Sequence, residues 1–229
     1  MDVYWGTSDR QLFLNYEEPV PLSTHFSELH NKDQSTKLLL CPGIRDFYHN
    51  IFVVKFPFDY NLFIDGENIQ STLFNQEFFD QRVLIRSKIS RLFSLNFFNV
   101  FVSEVPLEME VMGAFFSDND FVSKTRLIPG KFDIGKWVRP IECAFNIKEG
   151  YDSIQIGKGD EYLYIRFLTN EKIKFKKFYP SDKFIEMQNC NINIKDTFIK
   201  PQKLSYYYNL YKNSKNHKLF LKEIKNNLM

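Results

Sequence analysis

The residues best suited to chemistry lie in one short segment, where charged side chains surround a tryptophan. Asp133, Lys136, Trp137 and Arg139 fall within seven residues, after the Pro129-Gly130 turn. A guanidinium beside an indole can stack on it and bind an anion or the carboxylate of a partner. We therefore predict a binding site at these four residues. The alternative is structural: Trp137 fills the core, while Asp133 and Arg139 pair and fix a loop.

A second candidate is a group of carboxylates on one strand. Apolar and acidic residues alternate strictly over residues 107–111, so Glu108 and Glu110 share one face, about 7 Å apart. Such a pair can hold a cation or supply general acid–base catalysis. A solvated sheet face has the same pattern. We count Glu108 and Glu110 among the candidate binding residues.

The sequence lacks the motifs of several catalytic classes. Its four histidines form no HxH or HxD pair, and it has no CxxC, no GxSxG and no Walker P-loop. We therefore predict no metal and no cofactor, and we assign no catalytic residue. Cys41, Cys143 and Cys190 lie far apart, which predicts three small buried side chains rather than a disulfide framework.

Charge is distributed unevenly along the chain. The net charge is +2, but residues 171–229 hold 13 Lys and five acidic residues, a net of +8, which leaves −6 for the first 170 residues. A basic end behind an acidic body can bind an anionic partner or an acidic copy of the same protein. We predict a protein partner or self-association. Nucleic-acid binding through the basic C-terminal region remains an alternative.

Composition and periodicity indicate a mainly β fold. The 229 residues are 44% hydrophobic and 25% charged, as in ordinary globular proteins. With no run of 18 apolar residues, the chain is predicted to have no membrane span. Its 25 Phe and scarce Ala favour strands over helices. The predicted strands are residues 2–6, 51–56, 60–64, 67–70, 97–102, 107–111, 141–147, 162–167 and 172–176, and Asp65-Gly66 predicts a hairpin of residues 60–64 with 67–70.

These short strands predict an antiparallel β-sandwich or a cupin-like barrel with a C-terminal helical appendage. Residues 162–167 and 172–176 both alternate, and the link between them is short. We therefore expect them to form an antiparallel hairpin. Leu163, Ile165, Ile173 and Phe175 should then be buried, because the opposite choice of face would bury three lysines.

The C-terminal region follows a helical period instead. Leu204, Tyr208 and Tyr211 belong to one apolar face, and Ile224 and Leu228 belong to the face of a second predicted helix. Short amphipathic helices are marginal alone in water, so we expect both to pack on the body or on a second copy. The predicted organisation is a β-rich domain over residues 1–196 and a basic helical appendage over residues 197–229.

Three segments together resemble blocks shared by a family of uncharacterised proteins of tailed bacteriophages, especially marine phages. The segments are residues 41–59 (CPxxxD…KxPxD), residues 129–140 (PGxFDIGKWxRP) and residues 159–167 (similar to GDPLYYxxF). The resemblance covers about residues 40–180 and implies a phage origin without a specific activity. One departure is Glu161, which stands where the family commonly has proline.

Residues 159–167 are also similar to a strand of cupin barrels. Cupin enzymes bind their metal through paired histidines, which this sequence lacks. We therefore expect a non-catalytic phage protein that acts through protein–protein contacts, as a virion component, an assembly factor or a host-interaction factor in the host cytoplasm or the virion. The alternative is an enzyme on a cupin-like barrel, with a site near Glu108, Glu110 and Arg139.

Overall fold

Strands account for most of the regular structure, as the composition predicts. A computed structural model describes the chain except for residues 31–40, 66–67, 137, 194–205, 207–209 and 211–214. The strands are β1 (Asp2–Thr7), β2 (Val20–Pro21), β3 (Ile51–Lys55), β4 (Tyr60–Asp65), β5 (Asn68–Gln70), β6 (Val83–Ser87), β7 (Leu92–Val102), β8 (Glu108–Met112), β9 (Thr125–Leu127), β10 (Gly130–Asp133), β11 (Pro140–Ile147), β12 (Ser153–Ile156), β13 (Glu161–Phe167) and β14 (Lys174–Lys177). The helices are α1 (Leu22–His30), α2 (Pro42–Phe47), α3 (Gln76–Arg82), α4 (Asp120–Lys124), α5 (Asp182–Asn193) and α6 (Lys215–Asn226), with a 3₁₀ turn at Phe13–Asn15.

The strands form three sheets. Sheet I has the order β14-β1-β7-β11-β9, and β6 also pairs with β7. Sheet II has the order β10-β8-β13-β3-β2, and sheet III has the order β12-β4-β5. All pairings are antiparallel except that of β1 with β14.

Sheets I and II pack face to face around an aromatic core. Phe97 of β7 and Tyr162 of β13 have ring centroids 5.2 Å apart, and Phe101 lies 6.4 Å from Phe167 across the same interface. Buried residues from both sheets belong to one hydrophobic cluster. The mainly β prediction is confirmed. Of the two predicted architectures the described strands form the sandwich, because no pairing among them closes a sheet into a barrel.

The predicted hairpin of residues 162–167 with 172–176 is wrong. Strand β13 lies inside sheet II between β3 and β8, whereas β14 runs parallel to β1 at the edge of sheet I. Both edges of β13 pair with other strands, β3 and β8, so no edge is left for β14, and both faces of β13 are buried from Glu161 to Ile165. The predicted burial of Leu163, Ile165 and Ile173 is confirmed, and Phe175 is partly buried against the core.

The C-terminal helix α6 packs on the sandwich. Its residues Phe220 and Ile224 are fully buried in a second cluster with residues of β1, β7 and α5, which comprises Tyr4, Val100, Val102, Val138, Phe178 and Phe184. The predicted contact through Ile224 is therefore confirmed. Leu228 is instead 43% exposed, because the chain beyond α6 pairs through its backbone with Phe178. Leu204, Tyr208, Tyr211 and the boundary at residues 196/197 lie outside the described residues.

The sequence predicts no type for the connection at residues 72–81. Helix α3 begins within it, and the Asn75 side chain caps the N-terminus of α3 by accepting from the Phe78 amide at 2.9 Å. The predicted burial of three cysteines is wrong for two of them. Only Cys143 is buried, whereas Cys41 and Cys190 are exposed. Cys190 lies on the solvent side of α5, and Cys41 immediately precedes α2.

Candidate functional site

The structure brings together most of the residues predicted as a binding site. Strand β10 pairs with β8 so that Asp133 lies opposite Glu108, and Lys131 lies opposite Glu110. Lys131 Nζ lies 3.0 Å from Glu108 Oε2, and Lys136 forms an ion pair with Asp133. The carboxylates of the predicted site therefore alternate with lysines on the exposed side of sheet II.

Most of these charged side chains form ion pairs with one another. The hydrogen bond to Asp133 raises the pKa of Lys136, and the charge of Glu108 acts in the same direction. Lys136 therefore stays protonated and paired. In the β8–β13 pairing, Glu110 lies opposite Arg166. This arrangement stabilises an exposed sheet face. It agrees with the interpretation of Glu108 and Glu110 as part of a solvated face.

Arg139 is the other described member of the predicted anion site. The Arg139 side chain is half-buried, and its Nε donates to the carbonyl of Pro140 at 3.4 Å. Trp137 lies outside the described residues, so the predicted stacking of these two side chains stays a prediction. The cavity beside Asp133 and Arg139 has a volume of about 10 Å³, which is about the space that one water molecule needs.

The loop between β10 and β11 is fixed by its backbone. Ile134 donates to the carbonyl of Leu107 at 3.0 Å and accepts from the amide of Ser103 at 3.1 Å. Gly135 approaches the next chain so closely that an added Cβ would lie 2.1 Å from the carbonyl oxygen of Val105. The Gly135 amide also donates to Asp133 Oδ1 at 3.1 Å. Only glycine fits at this position without displacing the neighbouring backbone.

A different region presents the aromatic surface, which we define as Phe47, Phe115 and Phe116. These side chains are 44%, 48% and 43% exposed, respectively. The Phe115 and Phe116 rings lie 4.7 Å apart, and Phe47 lies 6.1 Å from Phe115. The guanidinium of Arg166 lies 5.7 Å from the Phe47 ring. The three rings are thus contiguous, with a cation at one side.

Buried rings support the aromatic surface from below. Phe116 packs against Phe26 of α1 at 5.2 Å and against Tyr48 at 5.7 Å. Phe115 packs edge-to-face on Tyr164 of β13 at 5.0 Å. The exposed rings are therefore held by a packed aromatic layer and are not loose side chains.

A buried polar group lies in the same layer. The Tyr164 hydroxyl donates to Glu161, and Nε2 of His25 lies 2.8 Å from the other oxygen of that carboxylate. Burial and the hydrogen bond to Glu161 raise the pKa of Tyr164, which keeps its hydroxyl protonated and donating. The side chains of His25 and Glu161 are 12% and 8% exposed. This contact ties α1 to β13 and so fixes the underside of the aromatic surface.

Sequence reasoning missed both the aromatic surface and its buried carboxylate. The departure of Glu161 from the phage family pattern was a usable signal, since an acidic residue opening a buried strand needs partners. Phe115 and Phe116 gave no such signal, because the chain has 25 Phe and periodicity does not tell which of them stay exposed.

No protein-family model matches the chain, and no curated protein matches it significantly. Within the described residues, no three His, Cys, Asp or Glu side chains are grouped closely enough to hold a metal ion. None of the helices in that part of the chain has the length and apolar character needed to cross a membrane.

Proposed function

We propose that the protein acts by binding another protein through the aromatic surface, without catalysis, as a phage virion component, an assembly factor or a host-interaction factor. One observation carries the proposal: three contiguous phenylalanine side chains remain more than two-fifths exposed while the rings beneath them are buried. An exposed cluster of this kind is costly in water and typically marks an interaction site.

The composition of the aromatic surface suits a protein partner. Phenylalanine and arginine are enriched at protein–protein interfaces, and lysine and glutamate are depleted there. Arg166 beside Phe47 provides one cation next to the apolar rings. The rigid support by Phe26, Tyr48 and Tyr164 reduces the ordering cost of binding, because the rings already occupy fixed positions.

The phage setting and the role in the virion or the host cytoplasm rest on the sequence resemblance of residues 40–180. The enzyme alternative near Glu108, Glu110 and Arg139 has no comparable support, since Glu108 and the neighbouring Asp133 are paired with lysines and the adjoining cavity is about 10 Å³. We therefore favour protein binding over catalysis.

Site-specific photo-cross-linking in infected host cells tests the proposal. Phe116 is replaced by the photoreactive residue p-benzoylphenylalanine, and the same replacement at Ile89, which is 95% exposed on the β6–β7 turn, serves as the control. We expect a discrete protein adduct at Phe116 and none at Ile89.

Mass spectrometry then separates the possible partners. A virion protein, a host protein or a second copy of this chain in the adduct assigns the role, and each supports protein binding. Equal adduct patterns at Phe116 and Ile89, or no adduct at either, would overturn the proposal. A third replacement, at Leu219 on the basic C-terminal helix, where the side chain is 48% exposed, tests the nucleic-acid alternative. Nucleic acid cross-linked there, without a protein adduct at Phe116, would overturn the proposal in favour of that alternative.

A further inference from the structure

A cleft of about 730 Å³ opens between the segment after β1, helix α3 and helix α5. Ser8, Asp9 and Gln11 contribute from the first segment, Gln81 and Arg82 from α3, and Asn189 from α5. Small-molecule sites typically have volumes of about 300–1,000 Å³ and a few fixed polar groups. This cleft shares no residue with the aromatic surface.

A buried ion pair forms part of the cleft wall. Arg82 and Asp9 pair directly, and their side chains are only 4% and 7% exposed. The Arg82 guanidinium also lies over the Phe78 ring, 3.5 Å from its centroid, and donates to the Phe78 carbonyl at 3.3 Å. Burying such a pair costs desolvation energy that its mutual attraction often does not recover. The buried ion pair nevertheless gives the cleft a rigid polar wall.

Two buried polar atoms of residues in this wall have no hydrogen-bond partner. Within the described chain, Nε of Arg82 and the hydroxyl of Ser8 are buried without a hydrogen-bond partner. Buried polar atoms normally have a partner, and exceptions call for an explanation such as a missing ligand or water. Both atoms belong to residues that line the cleft.

Backbone strain is located at the same place. Phe98, which also lines the cleft, has a φ of +58° in the middle of β7. Positive φ is unusual for a bulky residue, and such strain concentrates at functional sites. The strained conformation is held by hydrogen bonds, since the Phe98 amide donates to Asn96 Oδ1 at 2.8 Å and its carbonyl accepts from the Ser8 amide at 3.1 Å.

The lining has no net charge. Arg10 and Arg82 are balanced by Asp9 and Glu77, and Arg10 is additionally paired with Asp182 outside the cleft. Both lining cations are thus paired, so an anion finds no free opposite charge here, while the Glu77 carboxylate forms no ion pair within the described residues and can accept hydrogen bonds. The other polar side chains are the Ser8 hydroxyl and four amides, namely those of Gln11, Asn75, Gln81 and Asn189. Amides both donate and accept hydrogen bonds, as the hydroxyl groups of a sugar do.

We propose that this cleft binds a neutral saccharide. The amide side chains and the Glu77 carboxylate would meet its hydroxyl groups, and Phe78 and Phe98 supply apolar surface to the wall. The inference goes beyond the proposed function, because it concerns a different ligand class and a different part of the molecule.

Saturation-transfer NMR with a panel of neutral mono- and disaccharides tests the proposal on the full-length protein. The panel contains glucose, galactose, mannose, N-acetylglucosamine, maltose and lactose, and glucuronate and glucose 6-phosphate form an anionic arm. We expect at least one neutral sugar to bind and the anionic analogues to bind more weakly.

Variants then locate the binding. Gln11 and Gln81 are exposed, so the double variant Gln11→Ala/Gln81→Ala should fold normally and weaken binding of that sugar by about tenfold or more. Gln70→Ala, an exposed glutamine on β5 outside the cleft, is the matched control and should bind unchanged. Circular dichroism checks the fold of all three proteins.

Two results would overturn the proposal: no neutral sugar binds, or the sugar that binds does so equally well to the double variant. Preferential binding of the anionic sugars would overturn the assignment of a neutral ligand. None of these results affects cross-linking at Phe116, so this inference and the proposed function fail separately.

Discussion

Lys225, near the end of α6, and Glu104, in the loop after β7, form an ion pair with an Nζ–Oε1 distance of 2.8 Å. The Tyr4 hydroxyl donates to the same carboxylate. These two hydrogen bonds, that of Lys225 first, lower the pKa of Glu104. A second carboxylate, Glu223 on α6, has a lowered pKa because it accepts from Ser181 and pairs with Lys183. The docking of α6 thus depends on ionised carboxylates.

We predict that acid weakens this docking. The folded-state pKa of Glu104 lies below its ordinary value of 4.5, so its contribution to stability is fully present above that value. The contribution is lost as pH falls through the folded-state pKa. Glu104→Gln should therefore lower the thermal midpoint at about pH 7, and the difference from the unsubstituted protein should shrink towards about pH 3.

Glu149→Gln is the matched control for the acid experiment, because Glu149 is exposed. Its thermal midpoint should follow that of the unsubstituted protein at every pH. Calorimetry across the same pH range gives all three curves. A difference between Glu104→Gln and the unsubstituted protein that stays constant with pH would contradict the linkage.

A second prediction concerns the apolar side of α6. Phe220 is 1% exposed, whereas its neighbour Leu219 is 48% exposed. Phe220→Ala removes a ring packed against Phe184 at 5.6 Å and should lower the free energy of unfolding by about 3 kcal/mol or more. Leu219→Ala should change it by less than about 0.5 kcal/mol. Urea denaturation measures both, and equal effects would mean that α6 does not bury this face.

Nine of the fourteen described strands could be predicted from the sequence, whereas β2, β6, β9, β10 and β12 were missed. Alternation at residues 107–111 and 172–176 correctly predicted which glutamates and lysines face outwards. Except for β4 with β5, the partners of the strands could not be predicted, since nothing local indicates that β14 pairs with β1, about 170 residues earlier in the chain. A short link permits a hairpin without requiring one, and both edges of β13 pair with other strands.

The functional regions were harder to predict for a related reason. The cleft gathers side chains from the segment after β1 and from α3, β7 and α5, so no local spacing of residues marks it. The positive φ of Phe98 has no sequence signature. By contrast, the loop of Asp133 and Lys136 was found from sequence, because its charged residues are neighbours along the chain.

The third prediction concerns thiol reactivity. Burial raises the pKa of Cys143 to about 12, and only the thiolate is nucleophilic. Cys41 and Cys190 are exposed. At about pH 8, two of the three cysteines should therefore react with a thiol reagent in the folded protein, and the third should react only after denaturation. Cys143→Ser should abolish the reaction that appears only after denaturation. Reaction of all three thiols in the folded protein would contradict the burial of Cys143.

The last prediction tests the loop that carries Asp133, Lys136 and Arg139. A Cβ at Gly135 would lie 2.1 Å from the oxygen and 2.6 Å from the carbon of the Val105 carbonyl. Both are backbone atoms, which cannot move aside as a flexible side chain can. Gly135→Ala should therefore displace the loop and lower the free energy of unfolding by about 2 kcal/mol or more.

Gly43 in α2 provides the matched control, because no atom lies within 4 Å of its added Cβ. Gly43→Ala should leave stability unchanged or raise it by up to about 1 kcal/mol, since alanine is the better helix former. Urea denaturation compares the two variants, and amide NMR shifts should change at Ser103 and Ile134 only in Gly135→Ala, because the Ser103 amide donates to the Ile134 carbonyl and the Ile134 amide donates to the Leu107 carbonyl. If both variants are equally stable and those shifts stay in place, the loop is not held by close backbone contact. Asp133 and Lys136 would then lie on a movable segment that could open towards a ligand.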